Sequence, residues 1–113
     1  MINMDRLKDF FGENQKAIYD FLICFLRSTK KQLEIIEKAI QAKDNRSILY
    51  SFHQLKGSAA NAGFKKIQDL CEKGEEKVNQ SDWIAVEKIH GELDVLFKKI
   101  QITVENKFKQ YKK

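Results

Sequence analysis

Apolar residues recur along this chain at intervals of three and four, with little strict alternation, so the pattern predicts helices and not strands. Between residues 4 and 11, Leu7, Phe10 and Phe11 share one side and Gly12 follows as a stop, which predicts a short helix lying over one end of the fold. Asn14 is a suitable N-cap for the next helix. From about 15 to 42, Ile18, Phe21, Leu22, Phe25, Leu33, Ile36 and Ile40 mark one long amphipathic helix. Lys43-Asp44-Asn45 interrupts it, and Asp44 can cap a third helix that runs from about 45 to 62 and stops at Gly63. A fourth begins near Phe64 and presents Ile67, Leu70, Cys71 and Val78. Asn79-Gln80-Ser81 breaks the pattern again. Ser81 is expected to cap a final helix with the stripe Val86, Ile89, Leu93, Leu96, Phe97, Ile100 and Val104, which runs out in a lysine-rich tail. Connections this short favour antiparallel neighbours. The predicted fold is all-α, an antiparallel up-down four-helix bundle with a short additional N-terminal helix.

Composition agrees with that reading: there is no proline, and there are only five glycines. A chain of 113 residues, 42% of them apolar, has material for one core, so residues 1–113 are expected to form a single domain. No stretch approaches the roughly 20 apolar residues that span a bilayer. The opening Met1-Ile2-Asn3-Met4-Asp5-Arg6 also lacks a secretory signal pattern, so a soluble, cytoplasmic protein without a membrane role is expected. Cys24 and Cys71 lie among apolar helical positions and form no Cys-x-x-Cys pair, which predicts two reduced, buried thiols. The net charge of +5 is confined to the C-terminal end. Residues 98–113 carry six Lys and one Glu, while the preceding body is balanced, which argues against a nucleic-acid-binding stripe across the fold.

The informative stretch runs from Arg46 to Phe64. On a helical wheel Ile48, Phe52, Leu55, Ala59 and Ala62 form one buried face. His53 lies roughly 140° from the middle of that face, so its imidazole is expected to point to solvent. Lys56 and Gly57 are its i+3 and i+4 neighbours, and Ala60 follows at i+7. A glycine inside a helix costs about 1 kcal/mol relative to alanine, and on the exposed side core packing is no reason for it. It clears space beside the imidazole. A solvated imidazole is mostly neutral and carries a free lone pair able to attack phosphorus, and Lys56 can offset the phosphoryl charge. Arg46 and Gln54 are assigned only supporting roles, and Leu49, Tyr50 and Ala60 offer outward apolar surface for a partner.

The run His53-Gln54-Leu55-Lys56-Gly57-Ser58-Ala59-Ala60-Asn61-Ala62-Gly63 resembles the signature of histidine-containing phosphotransfer (HPt) domains, His-x-x-Lys-Gly followed by small residues and a glycine. The likeness extends over nearly the whole chain, with Phe64 as a departure where a smaller residue is usual. It implies a phosphorelay protein that accepts a phosphoryl group on His53 from a receiver-domain aspartate or a hybrid sensor histidine kinase and donates it to a response regulator. Lys56 would stabilise the phosphohistidine and Gly57 would admit the receiver. Docking would fall to Leu49, Tyr50, Gln54, Ala60, Asn61 and Phe64. The resemblance also implies a phosphoryl carrier without kinase activity, with no cofactor of its own and with Mg²⁺ bound by the receiver. A stand-alone monomer is expected.

Other features read as structural. His90 shares the face of Val86, Leu93 and Phe97, and Trp83 is expected to pack at a bundle end. Glu72, Glu75 and Glu76 with Lys73 and Lys77 read as a solvated face with i,i+4 ion pairs. Lys56-Gly57-Ser58 has the wrong order for a phosphate-binding loop, and no Ser-His-Asp or Cys-His arrangement can be placed. The competing functions are a helical docking or inhibitor module for receivers or kinases that is never phosphorylated, and a basic nucleic-acid binder.

Overall fold

The computed structural model describes residues 2–112, and every regular element among them is helical. Five α-helices follow one another: α1 (Met4–Phe11), α2 (Gln15–Ala42), α3 (Asn45–Ala62), α4 (Lys65–Asn79) and α5 (Trp83–Lys107), and a 3₁₀ turn follows at Lys109–Tyr111. The bounds follow the polar punctuation of the sequence. The side chains of Asn3, Asn14 and Asp44 accept the amides of Arg6, Ala17 and Ser47 at the starts of α1, α2 and α3. Gly63, at φ 83°, ends α3 in the left-handed conformation that glycine adopts without steric cost. The last cap falls one residue beyond the expected one. Asp82, not Ser81, accepts from the Ala85 amide, while Ser81 takes φ 55° in the turn before it.

α3 packs against α2 and α4, and α5 closes the ring by packing against α4 and α2. The core between them is continuous. Ile18, Leu22, Phe25, Leu33 and Ile36 of α2 meet Ile48, Phe52 and Leu55 of α3, with Ile67 and Val78 of α4 and Val86, Leu93 and Ile100 of α5. Each such side chain withdrawn from water contributes about 1.5–3 kcal/mol before conformational entropy is set against it. α1 packs on α2 with Leu7 fully buried, and it reaches the end of α3 through the Arg6 guanidinium, which donates from Nε to the Asn61 carbonyl at 3.1 Å.

Cys71 is buried as expected, but Cys24 is exposed. It stands roughly 130° from the centre of the α2 stripe, so its neighbours in sequence are apolar while its own direction is outward. The lysine-rich end also departs from a simple solvated helix. Val104 and Phe108 are buried, and Tyr111 packs against Tyr19 of α2 with ring centroids 5.5 Å apart. No described helix is long and apolar enough to cross a membrane.

Candidate functional site

α3 is held at both ends before its middle carries any chemistry. At its start the Asp44 carboxylate accepts from Ser47 N at 3.2 Å and from Ser47 Oγ at 2.7 Å. The Ser47 hydroxyl, helped by its amide, holds that carboxyl below its usual range. At its end Gly63 turns the chain into α4. Ile48, Phe52, Leu55, Ala59 and Ala62 are all buried, which fixes the rotation of the helix. His53 is turned outward in consequence, with 72% of its side chain accessible.

Beneath one edge of the imidazole lies an ion pair that joins two helices. Lys56 Nζ approaches Glu75 Oε1 of α4 at 3.0 Å, with both side chains largely shielded, and the same oxygen is 3.9 Å from His53 Nδ1. That oxygen is buried and accepts no well-directed hydrogen bond, so its partnership with Lys56 is ionic in character. The spacing to His53 is too long for a direct hydrogen bond, and Nδ1 is the ring nitrogen that faces the carboxylate.

Two glycines shape this site in opposite ways. Gly74 of α4 lies against the ring of Phe52, where a β-carbon would come within 2.7 Å of Cζ, so only glycine lets α4 approach α3 this closely. That approach brings Glu75, the next residue, to Lys56. Gly57 is exposed and has no atom within 4 Å of where its β-carbon would be. The surface beside His53 is therefore open by virtue of a residue that nothing in the core requires.

Among the residues expected to meet a partner, Gln54, Asn61 and Tyr50 are exposed, Tyr50 at 63%, while Leu49 and Ala60 are partly buried, Leu49 against the core. Phe64 is a correction. It is 4% exposed and stacks on Phe25 with centroids 4.7 Å apart, so its side chain presents no docking surface. It stands at the junction between helices, where wheel periodicity gives no direction. Arg46 is exposed. His90 is a boundary residue whose Nε2 lies 2.9 Å from the Leu33 carbonyl, and Trp83 is partly buried against the core.

Glu75 is the residue that sequence reading misplaced. Among the described residues none of Glu72, Glu76, Lys73 and Lys77 forms the expected ion pair, and Glu75 belongs instead to the cross-helix contact with Lys56. The available signal was its angle, roughly 60° from the centre of the α4 stripe of Ile67, Cys71 and Val78, which is a boundary position and not an outward one. Its charge also bears on Cys71, whose thiol is pushed up to about 12 by burial first and by Glu75 second, with Lys56 pulling the other way. Among the described residues no group of three or more His, Cys, Asp or Glu side chains is placed to hold a metal ion.

Compared with known families, the chain matches the model of the Hpt domain over residues 20–99, well over half its length and a span that includes His53, Lys56, Gly57 and Glu75. Comparison with curated proteins and with solved structures gave no match.

Proposed function

Because the chain belongs to the Hpt domain family, whose members are phosphocarrier modules of two-component phosphorelays, we propose that it carries a phosphoryl group on His53 between the aspartate of one receiver domain and that of another. The observation that carries this reading is the setting of His53: an exposed imidazole, a lysine–carboxylate pair beneath its Nδ1 edge, and an unencumbered glycine one turn along.

In the forward step the Nε2 lone pair attacks phosphorus of an aspartyl phosphate. The N–P bond forms as the P–O bond breaks, and the receiver keeps its carboxylate. The imidazole becomes cationic on losing its lone pair, and Glu75 is placed to stabilise the Nδ1–H that remains. Lys56 offers its charge to the oxygens of the transferred group. The reverse sequence discharges the carrier onto a second receiver. Each receiver would supply its own Mg²⁺, and this chain would act without kinase activity of its own. Partner contacts would come from the exposed side chains around His53, Tyr50, Gln54 and Asn61, with Gly57 and Ala60 allowing close approach.

The finer architecture suits such a carrier. Connections of only two or three residues between successive long helices support an antiparallel up-down bundle, which makes α3 a rigid platform. We read residues 1–113 as one domain, acting as a cytoplasmic monomer in exchange with receivers and a hybrid sensor kinase. The test is transfer from a phosphorylated receiver domain with Mg²⁺, comparing wild type with His53→Gln. Acid-labile, base-stable label on the wild type and none on the variant is the expected result. Absence of label on both, with several receivers, would replace this reading with that of a docking module that is never phosphorylated.

A further inference from the structure

α5 is apolar on two sides. One stripe fills the core, but Ile84, Val95 and Ile102 stand 85%, 54% and 58% exposed. On a wheel these three and Gly91 fall within roughly 40° of one another, so they form a second stripe along the outer side of the helix. Where this stripe faces α4 the surface is a groove of about 660 Å³, with an apolar lining of Leu70, Val95 and Leu96.

Lys66, Lys73, Lys88 and Lys99 line the same groove. Among the described residues none of the four has a carboxylate within ion-pair distance. Of the two acids present, Asp69 is already engaged by Lys65 at 2.8 Å, which leaves Glu92 against four cations. Gly91 adds an independent sign. A β-carbon there would meet nothing within 4 Å, so packing within the fold does not require glycine at a position where it costs the helix about 1 kcal/mol. Its effect is to leave the groove wall low.

The groove is also turned away from His53. On α4 the residues that line it centre roughly 170° around the helix from Glu75, which faces Lys56 and the imidazole. A partner seated there would leave the His53 surface uncovered.

We propose that the α4–α5 groove is a second docking surface, one that receives an acidic amphipathic helix of a partner protein. Apolar side chains spaced i, i+3, i+4 and i+7 would enter between Leu70 and Val95, and flanking Asp or Glu would meet the lysines. Charge disfavours a second copy of this chain, because two identical rims would set lysine against lysine. Concavity disfavours a flat lipid surface. This inference does not rest on phosphotransfer, and its test does not read it.

The probe is a fluorescein-labelled peptide of about 20 residues with leucine at the i, i+3, i+4, i+7 positions and glutamate elsewhere, a length sufficient for a helix. Its partner controls are the same peptide with lysine for glutamate and vesicles of phosphatidylglycerol. The glutamate peptide should raise anisotropy, shift the backbone amides of Gly91 and Val95 in NMR spectra and bind more weakly as salt rises. Gly91→Leu, which fills the groove at an exposed site, and the pair Lys88→Glu and Lys99→Glu should each weaken it at least about tenfold. Thermal unfolding at or above the wild-type midpoint in these variants excludes loss of fold. Absence of binding, equal binding of the lysine peptide, amide shifts centred on His53, or binding to vesicles alone would overturn the proposal, as would self-association of the protein through α5.

Discussion

Lys56 and Glu75 stand on different helices, and their 3.0 Å contact holds a cation one turn from His53 while a carboxylate faces the ring. The same two charges reach Cys71, so one buried thiol reports on the site from the core side. With its folded-state value pushed up to about 12 from the usual 9.0, the thiol stays protonated in the folded protein where it would ionise in the unfolded chain. The stabilisation is therefore complete below pH 9 and is lost as the pH rises from 9 towards 12. The urea midpoint should fall more steeply across that window in the wild type than in Cys71→Ala. At pH 8, N-ethylmaleimide should modify exposed Cys24 and leave Cys71 untouched until the protein is unfolded, as read by peptide mass. Labelling of Cys71 in the native state would contradict its burial.

Helices α3 and α4 each contain a glycine away from their ends, and the two should respond to alanine in opposite directions. Gly57→Ala adds a methyl group to open space and gains helix propensity, so stability should rise by up to about 1 kcal/mol. Gly74→Ala drives a β-carbon into the Phe52 ring, which is itself fully buried and cannot yield freely. Its expected cost is about 1–3 kcal/mol in chemical denaturation, with Glu75 displaced from Lys56. A bulky Gly57→Phe should keep the fold by circular dichroism and lose transfer from a phosphorylated receiver. Full-rate transfer in that variant would remove the role given to this glycine. Most of each element was legible from caps and periodicity, because Asn14, Asp44 and Gly63 act through their own backbone neighbourhood. The exception was Ser81, where two adjacent residues are both competent caps and the backbone turn selects Asp82.

Across the whole molecule, the C-terminal segment is fastened to the bundle by aromatic side chains. Phe108 is 1% exposed, and its ring lies 5.9 Å from that of Tyr19, so the cluster of lysines projects from an anchored surface. Phe108→Ala should cost about 3–5 kcal/mol and shift the whole unfolding transition, as a core substitution does. A change confined to fraying of the last turn would show that this anchor is local. The second apolar stripe of α5 also belongs to this scale. Ile84, Val95 and Ile102 share one side of α5 by periodicity alone, and a groove forms only where α4 runs beside Val95 and Leu96.

The order of residues along the chain was sufficient for five helices, most of their limits, the buried face of α3 and the outward direction of His53. Each of these depends on interactions within a few residues or on a 3.6-residue period, which the sequence expresses directly. The bundle itself decided that Glu75 meets Lys56, that Phe64 turns inward onto Phe25, that Phe108 is core, and that a cationic groove opens between α4 and α5. Those outcomes depend on how closely neighbouring helices approach, and that distance is set by pairs such as Gly74 and Phe52, which lie 22 positions apart in sequence and touch only after folding.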